Sequence, residues 1–139
     1  MGEDRTLVEG RATGAVVVLD EPLSLWGGLD PATGELVDTH HPQVGTNLAG
    51  RVLVMPAGRG SSSSSSVLAE AIRAGTAPAA IVLREPDGIV ALGAIVAREL
   101  YGAQTPVVVL DGDAYDGLET GTIVEVHGLG GRTFVRPVD

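Results

Sequence analysis

The stretch RVLVMPAGRGSSSSSSVLAE, Arg51–Glu70, decides how the rest of the chain folds. Its opening RVLVM is an apolar run of strand length, and Pro56 with Gly58-Arg59-Gly60 marks a tight turn. Six consecutive serines, Ser61–Ser66, follow. Val67, Leu68, Ala71 and Ile72 then recur at helical spacing. A strand, a glycine turn, a hydroxyl cluster and a helix N-terminus in this order bring a serine and several backbone N–H groups to one point. A plain polyserine linker is the competing reading of the same composition.

Downstream, Gly75 fits the residue that ends a helix and Pro78 blocks its continuation. Ala79–Leu83 is short and wholly apolar, as expected of a strand covered on both faces. Ile89–Tyr101 predicts a second helix with Ile89, Leu92, Gly93, Val96 and Leu100 along one side. Pro106–Leu110 reads as another buried strand, Asp111–Gly117 as a turn and Thr120–His127 as an alternating strand. Gly128–Arg132 reads as a glycine turn before a closing strand at Thr133–Val135. Upstream, Thr6–Glu9 and Gly14–Leu19 read as strands parted by a turn or bulge at Gly10–Thr13. Trp26–Asp38 predicts a hairpin around the turn Asp30-Pro31-Ala32-Thr33-Gly34, and His40–Gly50 a loop. The order predicts an α/β fold with a mixed, partly parallel sheet, in a single domain over residues 1–139.

Composition narrows the function. The chain has no cysteine, so it holds no disulfide and supplies no thiolate nucleophile. It ligates no iron–sulfur cluster by itself; such a cluster would need another polypeptide. A net charge of −9, nine scattered arginines and 3% aromatic residues argue against nucleic acid as a partner. No apolar run approaches the roughly 18 residues that span a bilayer. The start MGEDRTLVEG is acidic and lacks an apolar core segment, so no membrane contact and a cytoplasmic location are expected. All nine basic residues are arginine, which we read as the coding bias of a GC-rich, bacterial genome. A core of Val, Ile, Leu and Ala leaves little room for a private ligand pocket, which suits a site shared with a partner surface.

A serine is a weak acid, and its use as a base needs help. A helix N-terminus stabilises a nearby anion by about 0.3–1 kcal/mol, which is at most about one pK unit. Arg59 adds a positive charge beside Ser61, and a partner would have to supply the rest. Ser61 and Ser62, directly after the glycine turn, are the candidates, while Ser64–Ser66 read as spacers or caps of a helix at Val67. A Walker-type phosphate loop does not fit, because Gly60 stands where its lysine belongs. His40-His41 reads as ordinary loop residues and not as a metal site. Asp111-x-Asp113-x-x-Asp116-Gly117 lacks the spacing of a calcium loop, and GRGSS is not the GxSxG of a serine hydrolase.

Two segments carry a resemblance: Pro22–Pro31 (PLSLWGGLDP) with Thr33-Gly34, and Gly50–Ser62 (GRVLVMPAGRGSS). His41-Pro42, Gly45, Gly75–Ala80 (GTAPAA) and Ala91–Ala97 (ALGAIVA) extend it, over about residues 14–109. On these residues the chain resembles the small subunit of aconitase X-type dehydratases. The resemblance implies a swivelling β/β/α domain similar to the mobile domain of aconitase. It implies a large-subunit partner, separate or fused, that carries an iron or iron–sulfur site, with no cofactor or metal on this chain. The reaction implied is removal of water from a small hydroxy acid, cis-3-hydroxy-L-proline or 5-phosphomevalonate. By register with the family, Ser61 would be the proton acceptor. Arg59, Gly60 and Ser62 would then hold the substrate anion. The six identical serines depart from the family's mixed composition and leave Ser62 as the alternative base. A swivel-fold module that binds or assembles without turnover is the competing functional reading.

Overall fold

The computed structural model describes residues 4–59 and 61–138 of the chain. The elements run β1 (Arg5–Val8), β2 (Gly10–Val18), the four-residue turn α1 (Leu25–Gly28), β3 (Val52–Met55), α2 (Ser64–Ala74) and β4 (Ala80–Leu83). Then come α3 (Gly88–Tyr101), β5 (Val107–Val109), the short α4 (Gly112–Asp116), β6 (Ile123–Leu129) and β7 (Arg132–Pro137). Among the described residues seven strands form one mixed sheet in the order β1-β5-β4-β3-β2-β6-β7. The four central strands, β2 to β5, are parallel, and β1, β6 and β7 add antiparallel to the edges.

The parallel strands β3, β4 and β5 are apolar throughout because each is covered twice. Leu53, Met55, Ile81, Leu83, Val107 and Val109 face α2 and α3, where they meet Leu68, Ala71, Val90 and Ala94. Val52, Val54, Val82 and Val108 face the other way, into Val124, Val126 and Tyr115. The steps β3-α2-β4 and β4-α3-β5 advance across the sheet in one direction, so crossovers of one hand put both helices on one face. The other face is closed by the sheet itself, which curls until its two edges meet. Thr6 of β1 and Thr133 of β7 share a hydroxyl–hydroxyl bond of 2.7 Å, and Gly128 lies so close to Thr6 that a Cβ would collide with it. The result is a nearly closed barrel whose two edge strands meet through side chains.

Several boundaries differ from the sequence expectation. No turn separates Gly10–Thr13 from the following strand, because these residues pair with Glu125–Gly128 of β6 and stay extended. β6 runs on through Gly128 and Leu129, so the expected turn shrinks to Gly130-Gly131, both at positive φ, as a two-residue hairpin favours. The Trp26–Asp38 hairpin is held by a single antiparallel bridge, Leu29 to Leu36. Its Asp30–Gly34 turn is closed by the Gly34 N–H donating to Asp30 O at 2.7 Å. Asp111–Gly117 contains one helical turn, α4. The buried side of α3 is Val90, Ala91, Gly93, Ala94 and Ala97, whereas Leu92 and Leu100 are 49% and 67% exposed. Small residues face inward because α3 lies close against α2, and larger side chains do not fit between them.

The outer face of β2, β6 and β7 carries one buried carboxylate. Arg11 donates to Glu125 Oε2 at 2.6 and 3.1 Å, and Arg136 grips Oε1 at 2.8 and 3.0 Å. These hydrogen bonds, Arg11's first and then Arg136's, hold the Glu125 carboxyl below its ordinary pKa. A carboxyl lowered in the folded state contributes stability above its unfolded pKa, about 4.3, and loses it as pH falls through the folded value. Glu125→Gln is therefore expected to be less stable than the parent near neutrality, with the gap closing below about pH 4. Urea titrations across that range check it, and parallel pH profiles for the two proteins would contradict it.

Candidate active site

The loops that follow the parallel strands gather at one end of the sheet, where open α/β folds place their ligands. The loop after β3 carries the glycine turn, and the loop after β4 is tied to it. The N–H groups of Arg84 and Glu85 both donate to Pro56 O, at 3.1 and 3.0 Å. Asp87 caps α3, its Oδ1 accepting from the Ile89 and Val90 N–H groups at 2.9 and 3.0 Å. Its other oxygen lies against Gly58, where a Cβ would run into it. Gly58 is therefore a close-approach position: a larger residue would drive Asp87 out of its cap.

The two sequence segments singled out above meet here. Leu23 pairs with Gly58 in a parallel bridge, and the Arg59 N–H donates to Leu23 O at 3.2 Å. Residues 25–28 turn sharply: Trp26 (φ −71°, ψ 117°) and Gly27 (φ 78°, ψ −12°) have the angles of a type II turn, whose second central position favours glycine. The turn leaves Trp26 59% exposed beside the N-terminus of α2.

The serine run divides into distinct environments. Ser61 precedes the helix and is half-buried. Its Oγ accepts from the Ser63 N–H at 3.3 Å, and its carbonyl accepts from the Ser64 N–H at 3.0 Å. Ser62 and Ser63 are exposed. The helix begins at Ser64, about one turn earlier than the apolar pattern suggests, so Ser64–Ser66 form its first turn and are not a linker. Ser64 is 4% exposed, and its Oγ accepts from the Trp26 N–H at 3.1 Å. Ser65 donates to Ser62 O at 2.9 Å.

Arg59, Ser61 and Ser64 line one shallow depression with Leu23, Gly58 and Asp87, too tight to admit a water molecule. Arg59 is exposed. Gly60 lies outside the described residues. The sequence reading therefore finds its arginine and first serine at one place, while Ser62 is not among the pocket's lining residues. It missed Asp87 and the buried role of Ser64. Asp87 carried a signal, since Asp before an apolar helical pattern is a cap; nothing distinguishes Ser64 from its five neighbours.

The two histidines take separate paths. His41 is buried, its Nε2 donating to Glu21 O at 3.1 Å and its Nδ1 accepting from the Gln43 N–H at 3.1 Å. His40 is solvent-exposed. Among the described residues no group of three His, Cys, Asp or Glu could hold a metal ion. No described helix is long and apolar enough to cross a membrane.

Comparison with known proteins places this geometry in context. The family model for the aconitase X swivel domain matches residues 2–135. A cis-3-hydroxy-L-proline dehydratase from Pseudomonas aeruginosa is 54% identical over 114 residues, which cover 82% of this chain and 20% of that protein. A phosphomevalonate dehydratase small subunit from Methanosarcina acetivorans is 37% identical over 128 residues, 91% of this chain and 85% of the relative. The chain thus spans about a fifth of the cis-3-hydroxy-L-proline dehydratases it matches and most of the small subunit. The crystal structure of Thermococcus kodakaraensis aconitase X in its holo-form superposes with a TM-score of 0.84 at 35% identity, over 99% of this chain and 100% of that one.

Proposed function

The chain belongs to the aconitase X swivel-domain family, and on that premise we propose that it is the small-subunit part of a hydro-lyase that dehydrates a 3-hydroxy acid. The observation that carries this is the meeting of the PLSLWGG and PAGRGSS segments. It sets Arg59 and Ser61 beside one shallow depression at the sheet end where such folds bind ligands. Both cis-3-hydroxy-L-proline and 5-phosphomevalonate carry a carboxylate, a proton on the adjacent carbon and a hydroxyl on the next one. Water is lost when a base takes that proton, the carbon–carbon double bond forms and the hydroxyl departs.

In this reading Ser61 takes the proton. Arg59, with Gly60 and Ser62, holds the substrate anion and stabilises the charged serine oxygen. Activation of the leaving hydroxyl belongs to a large subunit that bears the iron or iron–sulfur site; this chain has no cysteine to hold a cluster. Residues 1–139 then act as one domain, inactive alone, in the cytoplasm, with that subunit and a small hydroxy acid as partners and with neither nucleic acid nor membrane. The greater identity to the Pseudomonas aeruginosa dehydratase than to the small subunit favours cis-3-hydroxy-L-proline as substrate.

The test is a comparison of the two substrates with the chain assembled on its large subunit. The expected kcat/KM for cis-3-hydroxy-L-proline exceeds that for 5-phosphomevalonate. The reverse order would overturn the substrate assignment. Turnover of neither by an intact complex would favour a non-catalytic module.

A further inference from the structure

We infer that Ser64, the fourth residue of the serine run, is a positioning residue that fixes Ser61 through a hydrogen-bonded ring built on Trp26. The inference rests on the reading of Ser61 as the base. Ser64 is almost fully buried in a run whose other described members are half-buried or exposed. Its Oγ accepts from the Trp26 N–H at 3.1 Å. The Ser24 hydroxyl donates to Trp26 O at 3.2 Å and lies 3.5 Å from Ser64 Oγ. With the Ser24 proton committed to Trp26 O, the Ser64 proton is left for Ser24 Oγ. The ring closes on both polar groups of the Trp26 backbone, joining the turn of residues 25–28 to the first turn of α2.

The same residue reaches the base. The Ser64 N–H donates to Ser61 O at 3.0 Å, so one residue holds Trp26 with its side chain and Ser61 with its backbone. Ser61 has a second anchor on its N-terminal side, where Arg59 is paired to Leu23. Leu23 and Trp26 belong to one short segment, so both anchors lead back to it. A hydroxyl at position 64 thus sets where Ser61 stands relative to a substrate, and a displacement of about 1 Å at a reacting group costs up to roughly 100-fold in rate. Trp26 itself is left projecting into solvent, where a partner surface can bear on the ring.

The experiment uses the full chain assembled on its large subunit, with cis-3-hydroxy-L-proline and 5-phosphomevalonate as probes. Ser64→Ala is expected to lower kcat by roughly 10- to 100-fold with KM little changed, and to speed hydrogen exchange at the Trp26 amide. Ser64→Thr keeps the acceptor and is expected to restore both, and Ser66→Ala, at an exposed helical position, to change neither. A kcat unchanged in Ser64→Ala while Ser61→Ala is inactive would overturn the positioning role and leave the base assignment standing. Full turnover in Ser61→Ala would overturn the reading on which the inference rests. Unaltered exchange at Trp26 in a folded Ser64→Ala chain would overturn the ring.

Discussion

Ser61→Ala, in the chain assembled on its large subunit, is expected to lower kcat by roughly 10²–10⁴-fold while the complex still forms. The size follows from the loss of a proton acceptor, and the survival of the fold follows from what Ser61 does not do. Its side chain accepts one hydrogen bond, 3.3 Å from the Ser63 N–H, and helix α2 starts without a side-chain cap. Alanine therefore removes the chemistry at little cost to the helix. Ser62→Ala is expected to weaken substrate binding and to spare most of kcat, since Ser62 is exposed and outside the pocket that Ser61 lines. Ser62→Ala as the inactive variant, with Ser61→Ala active, would move the base by one residue. Turnover is measured by following loss of the hydroxy acid, and association by co-purification.

The second large effect concerns the scaffold beneath the serines. Gly93 of α3 faces α2 so closely that a Cβ would stand 2.8 Å from Ser65 O and 3.0 Å from Leu68 Cβ. The nearer contact is backbone, so no side-chain rotation relieves it. Alanine would be partly offset by its better helix propensity, about 1 kcal/mol over glycine. Valine adds two methyl groups and branches where space is least. Gly93→Val is expected to destabilise the fold by about 1–3 kcal/mol, read as a lower denaturant midpoint at an unchanged m-value. It should also lower kcat, because the displaced end of α2 carries Ser64 and the turn bearing Ser61. A midpoint equal to the parent's would mean that the helices part without strain.

How much of this was legible in the sequence follows from what each feature depends on. The parallel core was readable because AAIVL and PVVVL are apolar without alternation, which local composition reveals. The meeting of PLSLWGG with PAGRGSS was not, since a parallel bridge between Leu23 and Gly58 is a long-range event with no local signature. The inward face of α3 was misjudged because the apolar pattern favours its large residues, whereas the helix packs through its small ones. Helix α2 starts early because serine is tolerated in a first helical turn, and periodicity counted from apolar residues alone begins at Val67. The catalytic reading of Ser61 rests on family register, which the local sequence does not supply. The buried fourth serine, in a run of identical residues, required the fold.

The most direct measurement mixes this chain with its large subunit and follows water elimination from cis-3-hydroxy-L-proline, beside each polypeptide alone. Turnover is expected only in the mixture, with the base assigned to this chain and leaving-group activation to the other. Turnover by the large subunit alone at the rate of the mixture would contradict it.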